Sequence, residues 1–179
     1  MTKTARIYGG ALYDLACEEG LSEQIFGELK MAAEVFRQNP DYRKLLCTPV
    51  VPKEERNALL EEAWGGRVHP YVTNFLKLLC DKGTLGQFSD CAEAFKDRYY
   101  ADEGIIEVRA VCAYPMNQEL SERLRRKVEK LTGKKVELTC VTDRSVLGGV
   151  RLELPDRQYD GTVSGQLANI RKILSEASV

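Results

Sequence analysis

The side chains best able to do chemistry at neutral pH are few and scattered. The 179-residue chain holds one histidine, His69, set beside Pro70. Alone, it completes no metal triad and meets no second group that would make it a catalytic base, so at a helix start it reads as a surface or capping residue. Phosphate-cradling loops fail on spacing. A Walker A loop ending at Gly133-Lys134 needs glycine at 128 and Ser or Thr at 135, where the chain has Val128 and Lys135. Gly148-Gly149 leads into a strand, whereas an anion-binding loop should lead into a helix. Gly161 and Gly165 do precede a helix, but without the spacing of a dinucleotide fingerprint. The neighbouring carboxylates Glu54-Glu55 and Glu61-Glu62 point about 100° apart on a helix, too divergent for an acid–base dyad. Six cysteines, Cys17, Cys47, Cys80, Cys91, Cys112 and Cys140, make no CxxC pair and sit in apolar runs, which predicts reduced core residues. The expected chemistry is binding, with no enzyme activity, cofactor or metal.

Bulk composition agrees with a folded, charged-surface protein: 44% of residues are hydrophobic and 30% charged. No stretch approaches the roughly 18 apolar residues of a membrane span, and the opening Met-Thr-Lys-Thr-Ala-Arg lacks a signal-peptide core. These features predict a cytoplasmic protein that meets a membrane only through a partner. Residues 1–104 carry 17 Asp+Glu against 13 Lys+Arg, and residues 105–179 carry 10 against 13. The halves therefore differ in sign, which suggests two modules with different neighbours.

The elements that would position any site fall into the same two parts. Up to Gly104 the apolar residues recur at helical spacing: Ala5, Tyr8, Leu12, Leu15; then Ile25, Leu29, Ala33, Phe36; then Tyr42, Leu45, Leu46; then Leu59, Leu60, Ala63. A fifth helix is predicted from about Val68 to Asp81 and a sixth from about Leu85 to Asp102. After Gly104 the period drops to two. Ile106, Val108, Ala110 and Cys112 predict a strand, followed by a helix whose apolar face is Leu120, Leu124, Val128 and Leu131. Val136, Leu138 and Cys140 predict a second strand, and Val150, Leu152 and Leu154 a third, with Gln158-Tyr159 pairing back beyond Pro155-Asp156. Val163, Leu167, Ile170 and Leu174 predict a closing helix. The fold class is α+β: a six-helix bundle over 1–104 followed by a small α/β domain over 105–179.

Two surfaces stand out. The fifth helix carries Tyr71, Val72, Phe75, Leu76, Leu78, Leu79 and Cys80, more than one core-facing stripe needs. It is either a central helix enclosed on all sides or one with a second face lining a groove. The first helix has a similar excess, with Ile7 and Ala11, and its Gly9-Gly10 would let another backbone approach. Two such helices would make a receiving groove for an amphipathic helix. In the second half, Arg123, Arg125, Arg126, Lys127, Lys130, Lys134 and Lys135 form a basic cluster. It is either a solvated face or a docking face for an acidic protein helix. The alternative function is a nucleic-acid-binding adaptor using this helix, but no aromatic residue lies in the stretch to stack on bases, so no nucleic acid is expected.

Four segments resemble one family. Ala5-Arg6-Ile7-Tyr8-Gly9-Gly10-Ala11-Leu12-Tyr13-Asp14-Leu15-Ala16 is similar to the opening helix of delta subunits of F-type ATP synthases, the bacterial counterparts of the oligomycin sensitivity-conferring protein. The run Asn74 to Leu85 resembles the family's fifth helix and turn, and the runs Asp143 to Arg151 and Tyr159 to Leu167 its C-terminal signature. The resemblance implies a non-catalytic stator subunit at the cytoplasmic face of the cell membrane, held there peripherally, which ties the catalytic head to the peripheral stalk and resists rotor torque. It implies that the N-terminal helix of an alpha subunit lies in the groove of the first and fifth helices. Tyr8, Ala11, Leu12 and Leu15 would form one wall, and Val72, Phe75, Leu76 and Leu79 the other. The C-terminal end of the b subunit would bind the second domain. Gly9-Gly10 departs from a more frequent alanine, Thr84 from a frequent arginine, and Ser164 and Gln166 from common basic residues.

Overall fold

A computed structural model describes residues 2–48, 50–146 and 148–166. The chain divides into two compact units, Met1–Ala101 and Asp102–Val179.

The first unit is helical. Helix α1 (Lys3–Glu18) starts where the Thr2 hydroxyl accepts the Ala5 N–H at 3.2 Å, satisfying one of the amides that a helix start leaves open. α2 (Ser22–Gln38) buries Ile25, Leu29, Ala32 and Phe36, a three-or-four spacing. α3 (Pro40–Cys47) and α4 (Lys53–Trp64) follow, each preceded or opened by a proline whose fixed φ suits a first turn. α5 (Pro70–Asp81) is capped by His69, whose Nδ1 accepts the Tyr71 N–H at 3.3 Å, while the His69 N–H donates to Glu28 Oε2 at 2.7 Å. The single histidine is thus a cap. A 3₁₀ turn, Leu85–Gln87, comes before α6 (Phe88–Glu103), so the sixth helix begins one turn later than its periodicity predicts.

Aromatic rings knit this core. Phe36 lies 5.3 Å from Phe88 and 5.9 Å from Trp64, and Tyr13 meets Phe95 edge-on at 5.3 Å. One buried cation sits among them. Arg56, only 7% exposed, donates through Nη1 to the carbonyls of Leu46 at 3.1 Å and Cys80 at 3.5 Å. Those carbonyls belong to the last turns of α3 and α5, where unpaired oxygens and the negative end of the helix dipole favour a positive charge.

The second unit is a mixed sheet with one crossover helix. β1 (Ile105–Cys112), α7 (Gln118–Thr132) and β2 (Lys135–Thr142) form a parallel βαβ unit, and β3 (Val150–Glu153) and β4 (Gln158–Asp160) add antiparallel strands. Strand order is β2-β1-β3-β4. Register places Val108 beside Leu138 and Ala110 beside both Cys140 and Leu152. One face of the sheet therefore gathers Val108, Val136, Ile106, Leu138 and Leu152 under Leu124 and Val128 of α7. The Gln158-Tyr159 hairpin partner is present as β4. The two signature segments pack on each other at their glycines. Gly149 has φ +83°, and a Cβ there would stand 2.3 Å from the Gly161 carbonyl oxygen. The Gly161 N–H donates to the Val150 carbonyl at 3.1 Å and the Val163 N–H to that of Gly148 at 3.0 Å.

Three expectations need correction. Leu120 and Leu131 are not core residues: α7 reaches the sheet through Leu124 and Val128, leaving Leu120 50% and Leu131 77% exposed. Cys17, Cys47 and Cys140 are exposed, so only Cys80, Cys91 and Cys112 are core thiols. Among the residues of the closing helix, Val163 is exposed and residues 163–166 make a helical turn. Leu167, Ile170 and Leu174 lie outside the described residues.

Candidate functional site

Helix α1 presents two faces of unlike purpose. Ala5, Leu12, Tyr13 and Ala16 are buried with Gly9 and Gly10, and turn the helix onto the rest of its bundle. On the outer side Ile7, Ala11 and Leu15 follow one another at intervals of four, a single stripe along the helix. Ile7 is 58% and Leu15 37% exposed; Ala11 is exposed and Tyr8 half-buried. Of the first predicted wall, Leu12 is therefore core, while Tyr8, Ala11 and Leu15 reach the surface.

The glycine pair serves the bundle itself. A Cβ on Gly9 would fall 2.2 Å from the Cys91 carbonyl oxygen and 2.9 Å from the Ala94 Cβ, so α1 and α6 cross at this point. Beside the crossing a concavity of about 600 Å³ is lined by Ile7, Gly10, Ala11 and Ala94, together with the charged Arg6, Asp14, Asp97 and Arg98. Arg98 Nη1 donates to the Gly10 carbonyl at 3.0 Å and to Asp14 Oδ1 at 2.7 Å, and its guanidinium lies 5.7 Å from the Tyr13 ring centre. This clamp holds the end of α6 against the middle of α1.

On α5 the four predicted wall residues Val72, Phe75, Leu76 and Leu79 are all buried. What α5 leaves uncovered is the neighbouring stripe of half-buried Tyr71, exposed Asn74 and Leu78, the last 42% exposed. α1 and α5 each pack on α2, and α5 also on α4. Ile7 and Leu78 were visible in the sequence only as part of an apolar excess. Their spacing, i to i+8 on α1 and i to i+7 on α5, is the signal that separates them from their buried neighbours.

Burial pushes the Cys91 thiol up to about 11 and also raises those of Cys80 and Cys112, which keeps all three protonated and poorly nucleophilic at neutral pH. Among the described residues no three His, Cys, Asp or Glu side chains come together as a metal site. No helix among them is long and apolar enough to cross a membrane. On α7, Arg125 and Arg126 lie 3.8 and 3.9 Å from Glu129 and Glu122 respectively.

Among the described residues the arrangement offers exposed apolar stripes on α1 and α5, and comparison with known proteins takes in the whole chain. The profile of the family described as ATP synthase delta (OSCP) subunit matches residues 4–174. ATP synthase subunit delta of Syntrophus aciditrophicus is 34% identical over 97% of this chain and 96% of its own length. That of Clostridioides difficile is 31% identical over 96% of each. In fold, the chain is similar to one in the cryo-EM structure of the Toxoplasma gondii mitochondrial ATP synthase hexamer. There the TM-score is 0.72 at 17% identity, covering 97% of this chain and 98% of that one.

Proposed function

The chain belongs to the ATP synthase delta (OSCP) subunit family, a non-catalytic stator component of the F-type ATP synthase complex, and from that premise we propose which surfaces make its contacts. The helical unit receives an amphipathic helix, the N-terminal segment of an alpha subunit, on the outer stripe of α1. The observation that carries this is the row Ile7, Ala11 and Leu15, uncovered on a helix whose other side is already fully used by its own core. Tyr8 flanks the row, and Tyr71, Asn74 and Leu78 extend the contact from α5. Leu12, Val72, Phe75, Leu76 and Leu79 then act from beneath, as the packed floor that keeps the two stripes in place.

The second unit takes the C-terminal end of the b subunit. Held between head and stalk in this way, the chain sits peripherally at the cytoplasmic face of the membrane and resists the torque of the rotor. At the α1 contact with the head, apolar burial suits a static joint, because it stabilises by about 25 cal/mol per Å² and is little screened by salt. The test is calorimetric titration of the full chain with a peptide of the alpha-subunit N-terminus from the same organism. Binding that vanishes in Ala11→Glu, with the melting temperature unchanged, is the expected result. Equal affinity in the variant would remove α1 from the interface.

A further inference from the structure

Helix α7 carries more positive charge than its own neighbours neutralise. Arg125 and Arg126 pair with Glu129 and Glu122 on the same helix. Arg123, Lys127 and Lys130 have no carboxylate partner among the described residues. These three stand at i, i+4 and i+7, one line along the helix. Next to that line, about a quarter turn or less around the helix, are the half-exposed Leu120 and the largely exposed Leu131. Only Leu124 and Val128 are needed to cover the sheet.

We propose that this stripe of Arg123, Lys127 and Lys130 with Leu120 and Leu131 is the docking face for an acidic amphipathic helix of the peripheral stalk. The inference rests on the reading that the second unit binds the b subunit, and deepens it by assigning the surface and its chemistry. A partner helix with Asp or Glu at i, i+4 and i+7 would answer the three cations, and apolar residues one position round would cover the two leucines. A membrane surface fits less well, because two leucines three turns apart are too little apolar area to anchor a helix in an interface. Nucleic acid fits less well again, since it would leave both leucines wet and would meet Glu119 and Glu122 on the same outer side.

The experiment uses the full chain and the soluble part of the b subunit from the same organism, with affinity measured by calorimetry. The triple variant Arg123→Glu/Lys127→Glu/Lys130→Glu is expected to bind at least about tenfold more weakly, and wild-type affinity to fall as salt rises. Leu120→Ser/Leu131→Ser is expected to weaken binding without adding to that salt dependence. The leucine variant should keep the wild-type melting temperature. The triple variant should stay folded with a modestly lowered one, because its glutamates repel one another at i,i+4 and oppose the helix dipole at Lys130. Both should keep the wild-type affinity for the alpha-subunit peptide. If wild type and both variants bind the b subunit alike, α7 is not the docking face, while the stalk reading stands. Failure of the wild-type chain to bind it at all overturns the stalk reading together with this one. Loss of RNA or anionic-vesicle binding in the triple variant, with binding of the b subunit intact, would overturn the occupant named here.

Discussion

A Cβ added to Gly9 would stand 2.2 Å from the carbonyl oxygen of Cys91, so the backbones of α1 and α6 meet with no room for even a methyl group. Gly10, its neighbour, has only the end of the flexible Arg98 side chain at 3.1 Å. The two glycines should therefore respond oppositely to alanine. At position 9, overpacking costs about 1–3 kcal/mol and outweighs the roughly 1 kcal/mol that alanine returns as helix propensity. Gly9→Ala is expected to lower unfolding free energy by about 1–2 kcal/mol, and Gly10→Ala to leave it unchanged or raise it slightly. Urea denaturation with unchanged m-values measures both.

Arg56 offers a second test of the helical unit. Its guanidinium satisfies carbonyls at the ends of α3 and α5, and no solvent replaces it there because the side chain is buried. Arg56→Met keeps much of the volume and removes the charge. The expected loss is about 2–3 kcal/mol, with Arg56→Lys recovering part of it. The Cys80 Sγ, which also donates to the Leu46 carbonyl at 3.5 Å, limits the damage. An unchanged denaturation midpoint for Arg56→Met would mean the cation contributes nothing net.

The exposed stripe proposed for docking and the buried residues beneath it should separate cleanly. Ile7→Glu and Leu15→Glu place charge on an already wet surface, so stability should change by less than about 0.5 kcal/mol while peptide affinity falls. Phe75→Glu buries an unpaired carboxylate and is expected to unfold the helical unit. Circular dichroism beside calorimetry distinguishes loss of contact from loss of fold.

Thiol chemistry divides the cysteines by exposure. Cys17, Cys47 and Cys140 should alkylate rapidly at neutral pH, and Cys80, Cys91 and Cys112 only on unfolding. Cys91 also predicts a pH dependence. Its folded pKa of about 11 lies above the ordinary 9.0, so between these values the folded chain holds a proton that the unfolded chain releases. Stability from this group is complete below pH 9 and is lost as pH rises toward 11. Melting temperature measured across that window should fall less steeply in Cys91→Ala than in the native chain.

Much of this architecture is written in local pattern. The change from helical to alternating spacing at Gly104 separates bundle from sheet, and the stops at Gly20, Gly83 and Gly133 take up the positive φ that ends their helices. Pro70 narrows His69 to a surface or capping residue, and the Tyr71 N–H donated to its Nδ1 makes it a cap. The four segments that resemble the family follow one another along the chain within the span its profile matches, residues 4–174.

What tertiary structure alone decided is which side of each helix is covered. Periodicity orders residues around a helix axis but says nothing of how many neighbours surround it, since those neighbours come from distant parts of the chain. So Val72, Phe75, Leu76 and Leu79 became core while Leu78 stayed outside, and Leu120 and Leu131 remained wet although they share a face with Val128. Gly9 closed on α6, and Arg56, in a turn that reads as polar, became a buried cap for two other helices. Burial depends on packing between elements far apart in sequence, and no window along the chain contains that information.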